Sequence, residues 1–113
     1  MNTSNLLQWN DFQKVDIRVG KILEVSAFPE AIHPAYRLLI DFGQLGTRKS
    51  SAQITNYRFK ELIGRQVVAV VNFPPKQIGP FVSEVLILGA VDKSEEVKLL
   101  RPDVDCKLGS KVS

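Results

Sequence analysis

The stretch Val15–Leu23, which reads VDIRVGKIL, decides the fold of this 113-residue chain. Apolar and polar side chains alternate from Val15 to Gly20, which is the period of a half-buried β-strand. The alternation then slips before Leu23, where two apolar residues follow each other. A glycine at such a phase change indicates a bulge or a sharp bend. We therefore expect a long, curved first strand that continues to about Phe28.

The rest of the chain predicts four more strands and one short helix. The strands are expected at residues 36–42, 48–54, 66–72 and 84–89, each bounded by residues that favour turns. Between the third and fourth strands, a short helix is expected to start after a cap at Thr55 or Asn56 and to end at Gly64. Its apolar face, formed by Phe59, Leu62 and Ile63, is expected to turn inward.

Three prolines divide the loop at residues 73–82 and keep it from forming a helix or a central strand. Beyond the fifth strand, residues 97–100 and 107–112 are expected to form short additional strands. Three strands, a helix and two strands are the element order of the five-stranded Greek-key OB barrel, an all-β fold. A β-sandwich is less consistent with this order, because it needs about seven strands and no central helix.

Length and charge fit one small binding domain. We expect a single domain over residues 1–113, with the barrel at about 14–92 and terminal extensions at 1–13 and 93–113. The formal net charge is +3. Residues 48–76 alone carry six basic side chains against one acidic side chain, a net +5. Clustered cations suit a polyanionic partner, although a solvated basic surface is the alternative reading.

No residue pattern points to catalysis, so the sequence predicts a protein that is not an enzyme. His33 has no neighbouring histidine or cysteine that could complete a metal site, and Ser50 and Ser51 lack the glycine-flanked turn of a hydrolase nucleophile. We expect no metal and no cofactor. The single cysteine, Cys106, fits a reducing compartment. No apolar run is long enough for membrane insertion and residues 1–8 do not resemble an export signal, which predicts a cytoplasmic location.

The OB order places the ligand face on the second and third strands, framed by loops. Basic and polar side chains expected there could contact RNA phosphates and base edges: Arg48, Lys49, Ser51, Gln53, Asn56, Asn72 and Lys76. Apolar residues of the proline-rich loop could instead hold a polypeptide: Phe73, Pro75, Ile78 and Phe81. Phe73 directly follows a strand and is expected to fold back onto the barrel. For Phe81 the sequence is equally consistent with an exposed and with a buried ring.

Several segments resemble one known family. The opening segment 12–22 is similar to the tRNA-binding domains appended to methionyl-tRNA synthetase and to related free-standing proteins. The segments 39–43, 50–55, 68–75 and 83–89 resemble the CsaA type of secretion chaperone in this family. The resemblance covers about residues 11–112 in one continuous order.

This resemblance implies an OB-fold homodimer that binds tRNA and, in the CsaA branch, unfolded or precursor polypeptides, with the export machinery as a further partner. The alternative function is a tRNA-binding accessory protein that acts with an aminoacyl-tRNA synthetase. In the family the terminal extensions build the dimer, which implies an interface at Leu6, Leu7, Trp9, Phe12, Leu99, Leu100 and Val112. The proline-rich loop departs from the CsaA pattern, because Gln77 replaces a second cation and Gly79-Pro80 stands where that pattern has a flexible pair of a small residue and a glycine.

Overall fold

A computed structural model describes residues 5–113. It contains a five-stranded antiparallel sheet, two short hairpins and two short helices. In chain order these elements are α1 (Trp9–Lys14), β1 (Ile17–Ala27), β2 (Tyr36–Asp41), a 3-10 turn (Gly43–Leu45), β3 (Thr47–Ala52), α2 (Phe59–Leu62), β4 (Gln66–Val70), β5 (Lys76–Ile78), β6 (Phe81–Ser83), β7 (Leu86–Ile87), β8 (Gly89–Val91) and β9 (Val97–Leu99). No helix in the described range is long and apolar enough to cross a membrane.

β1 is the long, bent strand that connects both halves of the sheet, whose order is β3-β2-β1-β4-β7. Its first part pairs with β4 and its second part with β2. The register with β2 shifts between Ile22 and Glu24, which confirms the predicted phase change. Gly20 allows close packing at this bend, because a Cβ there would lie 2.6 Å from the side chains of Ile40 and Phe42.

The sheet closes almost completely through contacts between β3 and residues 83–85. The Glu84 N–H donates to the Lys49 carbonyl oxygen at 2.8 Å, and the Lys49 N–H donates to Glu84 Oε1 at 2.8 Å. The buried Ser50 hydroxyl donates to the Val85 carbonyl oxygen at 3.1 Å. These bonds satisfy the outer edge of β3, which would otherwise be open to pairing with another chain. The predicted OB-type barrel is confirmed.

The helix α2 closes one end of the barrel with a single side chain. Leu62 is fully buried in the core, whereas Phe59 and Ile63 are 41% and 54% exposed. The expectation that all three turn inward is therefore wrong, because a four-residue helix places few side chains on one face. The helix also starts later than expected, after Arg58, whose N–H donates to Glu61 Oε1 at 2.8 Å. This backbone hydrogen bond lowers the pKa of Glu61.

The segment after Leu100 runs along the first part of β1. The Val19 N–H donates to the Ser110 carbonyl oxygen at 2.9 Å, and the Val112 N–H donates to the Ile17 carbonyl oxygen at 2.8 Å. Only an isolated bridge forms here, so the strand expected at residues 107–112 is absent from the described structure. The Gln66 amide fixes the start of this segment by bonding to both backbone groups of Cys106, at 2.8 and 3.1 Å.

Candidate nucleic-acid and polypeptide interface

The outer face of β2 and β3 carries two cations. Neighbouring residues of a strand point to opposite sides, and Leu38 and Ser50 are buried inside the barrel. Arg37 and Lys49 therefore lie on the outer side of their strands, where Arg37 pairs with Ser51 and Lys49 pairs with Leu39 in the β2–β3 register. The alternation of the strands thus brings basic side chains onto the surface where OB folds bind ligands.

Two aromatic rings connect these cations, forming a cation–aromatic cluster of Phe28, Arg37, Lys49 and Phe81. The rings of Phe28 and Phe81 meet edge to face, with centroids 5.5 Å apart. The Lys49 ammonium lies 5.4 Å from the Phe81 centroid, and the Arg37 guanidinium lies 5.6 Å from the Phe28 centroid. Such contacts hold a cation in place while leaving its outer side free for an anion. Sequence reasoning missed Phe28 and Arg37, although the polar position of Arg37 in an alternating strand was a usable signal.

An apolar cleft of about 1030 Å³ lies beside this cluster. It runs between the β1–β2 loop, the end of β3, the β5–β6 hairpin and β7. Large apolar side chains on its walls are open to solvent: Ile32 is 95% exposed, Phe73 54% and Leu86 49%. Monomeric soluble proteins rarely leave contiguous apolar surface open unless it binds something. The cleft is therefore a candidate binding site for apolar side chains.

The structure brings together only some of the residues predicted to contact RNA. Ser51, Gln53 and Lys76 line the apolar cleft, and Lys49 lies in the adjacent cation–aromatic cluster. Arg48 pairs with the buried Ile40 on the opposite side of β3 from Lys49, and its guanidinium donates to the Thr47 carbonyl oxygen at 3.2 Å. The two neighbouring cations therefore do not form one patch.

Both predicted asparagines have a structural contact. The Asn72 amide accepts from the Asp16 N–H at 2.9 Å and donates to the Lys14 carbonyl oxygen at 2.7 Å, which ties α1 to the end of β4. Asn56 donates to the Val97 carbonyl oxygen at 3.1 Å. Neither residue lines the apolar cleft. Their amides connect chain segments, which leaves them less suited to contact a ligand than the residues of the cleft.

The residues predicted to contact a polypeptide lie on or beside the loop that borders the cleft. Phe73 and Ile78 line it, Pro75 is exposed in the same loop, and Phe81 is half-buried in the cation–aromatic cluster. The expectation that Phe73 folds back onto the barrel is wrong, since half of the side chain remains in solvent. The loop itself forms the hairpin β5–β6. Its prolines lie outside both strands, so the ladder needs no proline N–H.

The predicted dimer residues divide into exposed and buried groups. Leu6, Leu7 and Trp9 are 55%, 69% and 66% exposed, and Trp9 packs against the half-buried Phe12 with ring centroids 5.6 Å apart. Leu100 is also exposed and Val112 is half-buried. Leu99 is 8% exposed and belongs to the barrel's own core. Leu99 therefore offers almost no surface to a second copy.

Among residues 5–113, no three His, Cys, Asp or Glu side chains form a group suited to a metal ion. His33 lies exposed on the wall of the apolar cleft, together with Glu30. The polar groups of this region are spread around apolar surface.

The barrel, its outer cations and its neighbouring cleft define an OB-fold binding module. Residues 17–111 match the family model described as "Putative tRNA binding domain". The chain belongs to this family. The methionine–tRNA ligase of Pyrococcus abyssi is 39% identical over 106 residues, which are 94% of this chain and 14% of that enzyme. The chain thus spans about a seventh of the length of the curated relatives that it matches.

Two solved structures share both the fold and much of the sequence. The CsaA chaperone protein from Picrophilus torridus is 57% identical, with a TM-score of 0.91 over 96% of this chain and 100% of that chain. The chaperone CsaA from Bacillus anthracis is 49% identical, also with a TM-score of 0.91, over 96% of this chain and 99% of that chain. Within the tRNA-binding domain family, the chain therefore belongs to the CsaA type.

Proposed function

We propose that this protein is a non-catalytic, export-related chaperone that binds unfolded or precursor polypeptides in the cytoplasm. The observation that carries the proposal is the exposure of Ile32, Phe73 and Leu86 on the walls of one cleft. Unfolded chains present apolar side chains that a folded protein would bury. These side chains can cover the exposed apolar surface of the cleft and remove it from water. The CsaA chaperones of similar sequence support the proposal.

Aggregation of a chemically denatured client protein tests this function. We expect the wild-type protein to slow aggregation at a stoichiometric concentration, and the double variant Ile32→Ser with Phe73→Ser to lose most of this effect. Val104→Ser is the matched control, because Val104 is 75% exposed but does not line the cleft. If the wild-type protein leaves aggregation unchanged, the chaperone proposal is rejected.

A second function, binding of tRNA, is favoured by the cation–aromatic cluster. The Lys49 ammonium and the Arg37 guanidinium can meet phosphates, and the half-buried Phe81 ring offers a face to an unpaired base. The family match supports the same ligand. The cluster borders the cleft without filling it, so one molecule can bind both ligand classes at neighbouring sites. The accessory role beside a synthetase would use this same cluster.

We further propose that the protein is a homodimer whose contact includes Leu6, Leu7 and Trp9. These three side chains lie within four consecutive residues and are each exposed over more than half of their surface. A dimer would bury them at one symmetric contact. Sedimentation of the wild-type protein should give twice the monomer mass at micromolar concentration. Leu7→Asp should reduce the measured mass to that of a monomer, whereas Val104→Asp should leave it at the dimer mass. A monomeric wild-type protein would reject the dimer but leave the cleft intact.

A further inference from the structure

The β5–β6 hairpin has one strand edge that remains open. β6 packs against β3, and the Ser83 hydroxyl accepts from the Ser51 N–H at 3.0 Å. Within residues 5–113, β5 pairs with β6 on one side only, and its other side borders the apolar cleft. An open edge presents unpaired N–H and C=O groups that can pair with another chain.

The hairpin register identifies the groups on this edge. A two-residue loop, Gly79–Pro80, joins Ile78 to Phe81, which makes these two residues a hydrogen-bonded pair. Bonded and non-bonded pairs alternate along antiparallel strands. The N–H and C=O of Gln77 therefore point away from β6, and the Gln77 side chain bonds instead to the Gly79 carbonyl oxygen at 2.5 Å.

We infer that β5 binds polypeptide segments by strand addition, with Gln77 as the anchor of the main chain. This inference rests on the proposed chaperone function and specifies how the ligand is held. The Gln77 N–H donates one hydrogen bond to an added strand and the Gln77 carbonyl oxygen accepts one from it. The apolar side chains of that strand reach the cleft walls at Phe73 and Ile78. Main-chain bonds do not depend on sequence, while the cleft selects for apolar character. RNA has no matching pattern of amide groups.

The charges at the two ends of β5 set the direction of the added strand. Glu30 lies next to the hairpin tip, where a Cβ on Gly79 would be 4.0 Å from the Glu30 Cβ. The exposed Lys76 lies at the other end of β5. An antiparallel strand places its amino-terminal end near Glu30 and its carboxyl-terminal end near Lys76. The preferred ligand is therefore an extended segment with a basic residue before its apolar residues, the charge order of an export signal.

The substitution Gln77→Pro tests the anchor, because it removes a backbone N–H that the hairpin ladder does not use, together with the Gln77 side chain. Gln77→Ala is the matched control, since it removes the same side chain but keeps the N–H. The probe is a fluorescent ten-residue peptide with two lysines followed by alternating leucine and serine. We expect Gln77→Pro to weaken binding at least about fivefold, the scale of one lost hydrogen bond, and Gln77→Ala to leave it nearly unchanged.

Three outcomes would overturn strand addition, and each has a different meaning. If Gln77→Pro and Gln77→Ala bind the peptide with the same affinity, the anchor is rejected while the chaperone function stands. No binding of the peptide by the wild-type protein, together with unchanged client aggregation, would reject the chaperone function as well. An equal loss of tRNA affinity in Gln77→Pro would assign this edge to RNA.

Two controls accompany these measurements. The thermal unfolding midpoint of both Gln77 variants must match that of the wild type. A peptide with the two lysines moved to its carboxyl-terminal end tests the strand direction and should bind more weakly.

Discussion

The ammonium group of Lys49 lies 5.4 Å from the centre of the Phe81 ring, so that a cation of the barrel wall contacts an aromatic residue of the β5–β6 hairpin. The backbone of Lys49 is bonded to the same segment, because its N–H and C=O both pair with Glu84. Lys49 therefore links the hairpin segment to the barrel through both its main chain and its side chain. This arrangement holds the Lys49 charge on the outer face, where a phosphate can reach it.

Replacing Lys49 by Ala should lower tRNA affinity and reduce its salt dependence. Each phosphate contact that is lost reduces the slope of log K against log salt by about 0.7 to 0.9. Filter binding of total tRNA between roughly 50 and 200 mM salt measures this slope. Lys60→Ala is the matched control, since Lys60 is an exposed cation of the same basic stretch but lies on α2. Equal slopes for both variants would contradict a role of the cation–aromatic cluster in RNA binding.

Replacing Gln66 by Ala should destabilise the protein by about 2 kcal/mol. The Gln66 side chain is buried and makes two hydrogen bonds to the backbone of Cys106, so that truncation leaves both groups without their partner. Urea denaturation measures the free energy of unfolding. Gln53→Ala should change it by less than about 0.5 kcal/mol, because the exposed Gln53 makes no hydrogen bond within the described residues. Similar values for the two variants would show that the bonds to Cys106 contribute little.

Gly43 and Gly64 allow the cost of a backbone conformation to be separated from the cost of a steric clash. Both have positive φ, 64° and 84°, which an alanine adopts at a cost of about 1 to 2 kcal/mol. A Cβ on Gly64 meets nothing within 4 Å, whereas a Cβ on Gly43 would lie 2.5 Å from the Leu108 carbonyl oxygen. Gly43→Ala should therefore lower the free energy of unfolding by at least about 1 kcal/mol more than Gly64→Ala. Hydrogen exchange at the Val112 N–H should accelerate only in Gly43→Ala.

The strands of the barrel were predictable because their side-chain alternation follows burial. In β2, Leu38 and Ile40 are buried while Arg37 and Leu39 are only partly so, which is the pattern that a half-buried strand must show. The helix α1 was missed for the opposite reason. Six residues make less than two turns, so no helical period can be recognised in them.

The candidate site was only partly predictable, because it depends on contacts between distant segments. Phe28 and Arg37 meet through the pairing of β1 with β2, and Phe28 meets Phe81 only once the hairpin has folded. Arg48 and Lys49, which are neighbours in the sequence, were both predicted to contact RNA. As neighbours in a strand they point to opposite sides, so closeness in sequence was misleading here. Conversely, the polar character of Asn72 gave no indication that its amide holds the N-terminal segment.

Asp92 should titrate well below the usual range of an aspartate. Hydrogen bonds from Ser94 (Oγ at 2.6 Å and N–H at 2.9 Å) and then from Lys98 lower its pKa from 3.8 to about 2. The folded state thus favours the carboxylate, so this contribution to stability is complete above about pH 3.8 and is lost as the pH falls through about 2. NMR titration of the Asp92 carboxyl carbon measures the midpoint. Ser94→Ala should raise this midpoint towards 3.8, whereas Lys93→Ala should leave it unchanged. A wild-type midpoint already near 3.8 would mean that the β8–β9 turn does not hold these bonds in solution.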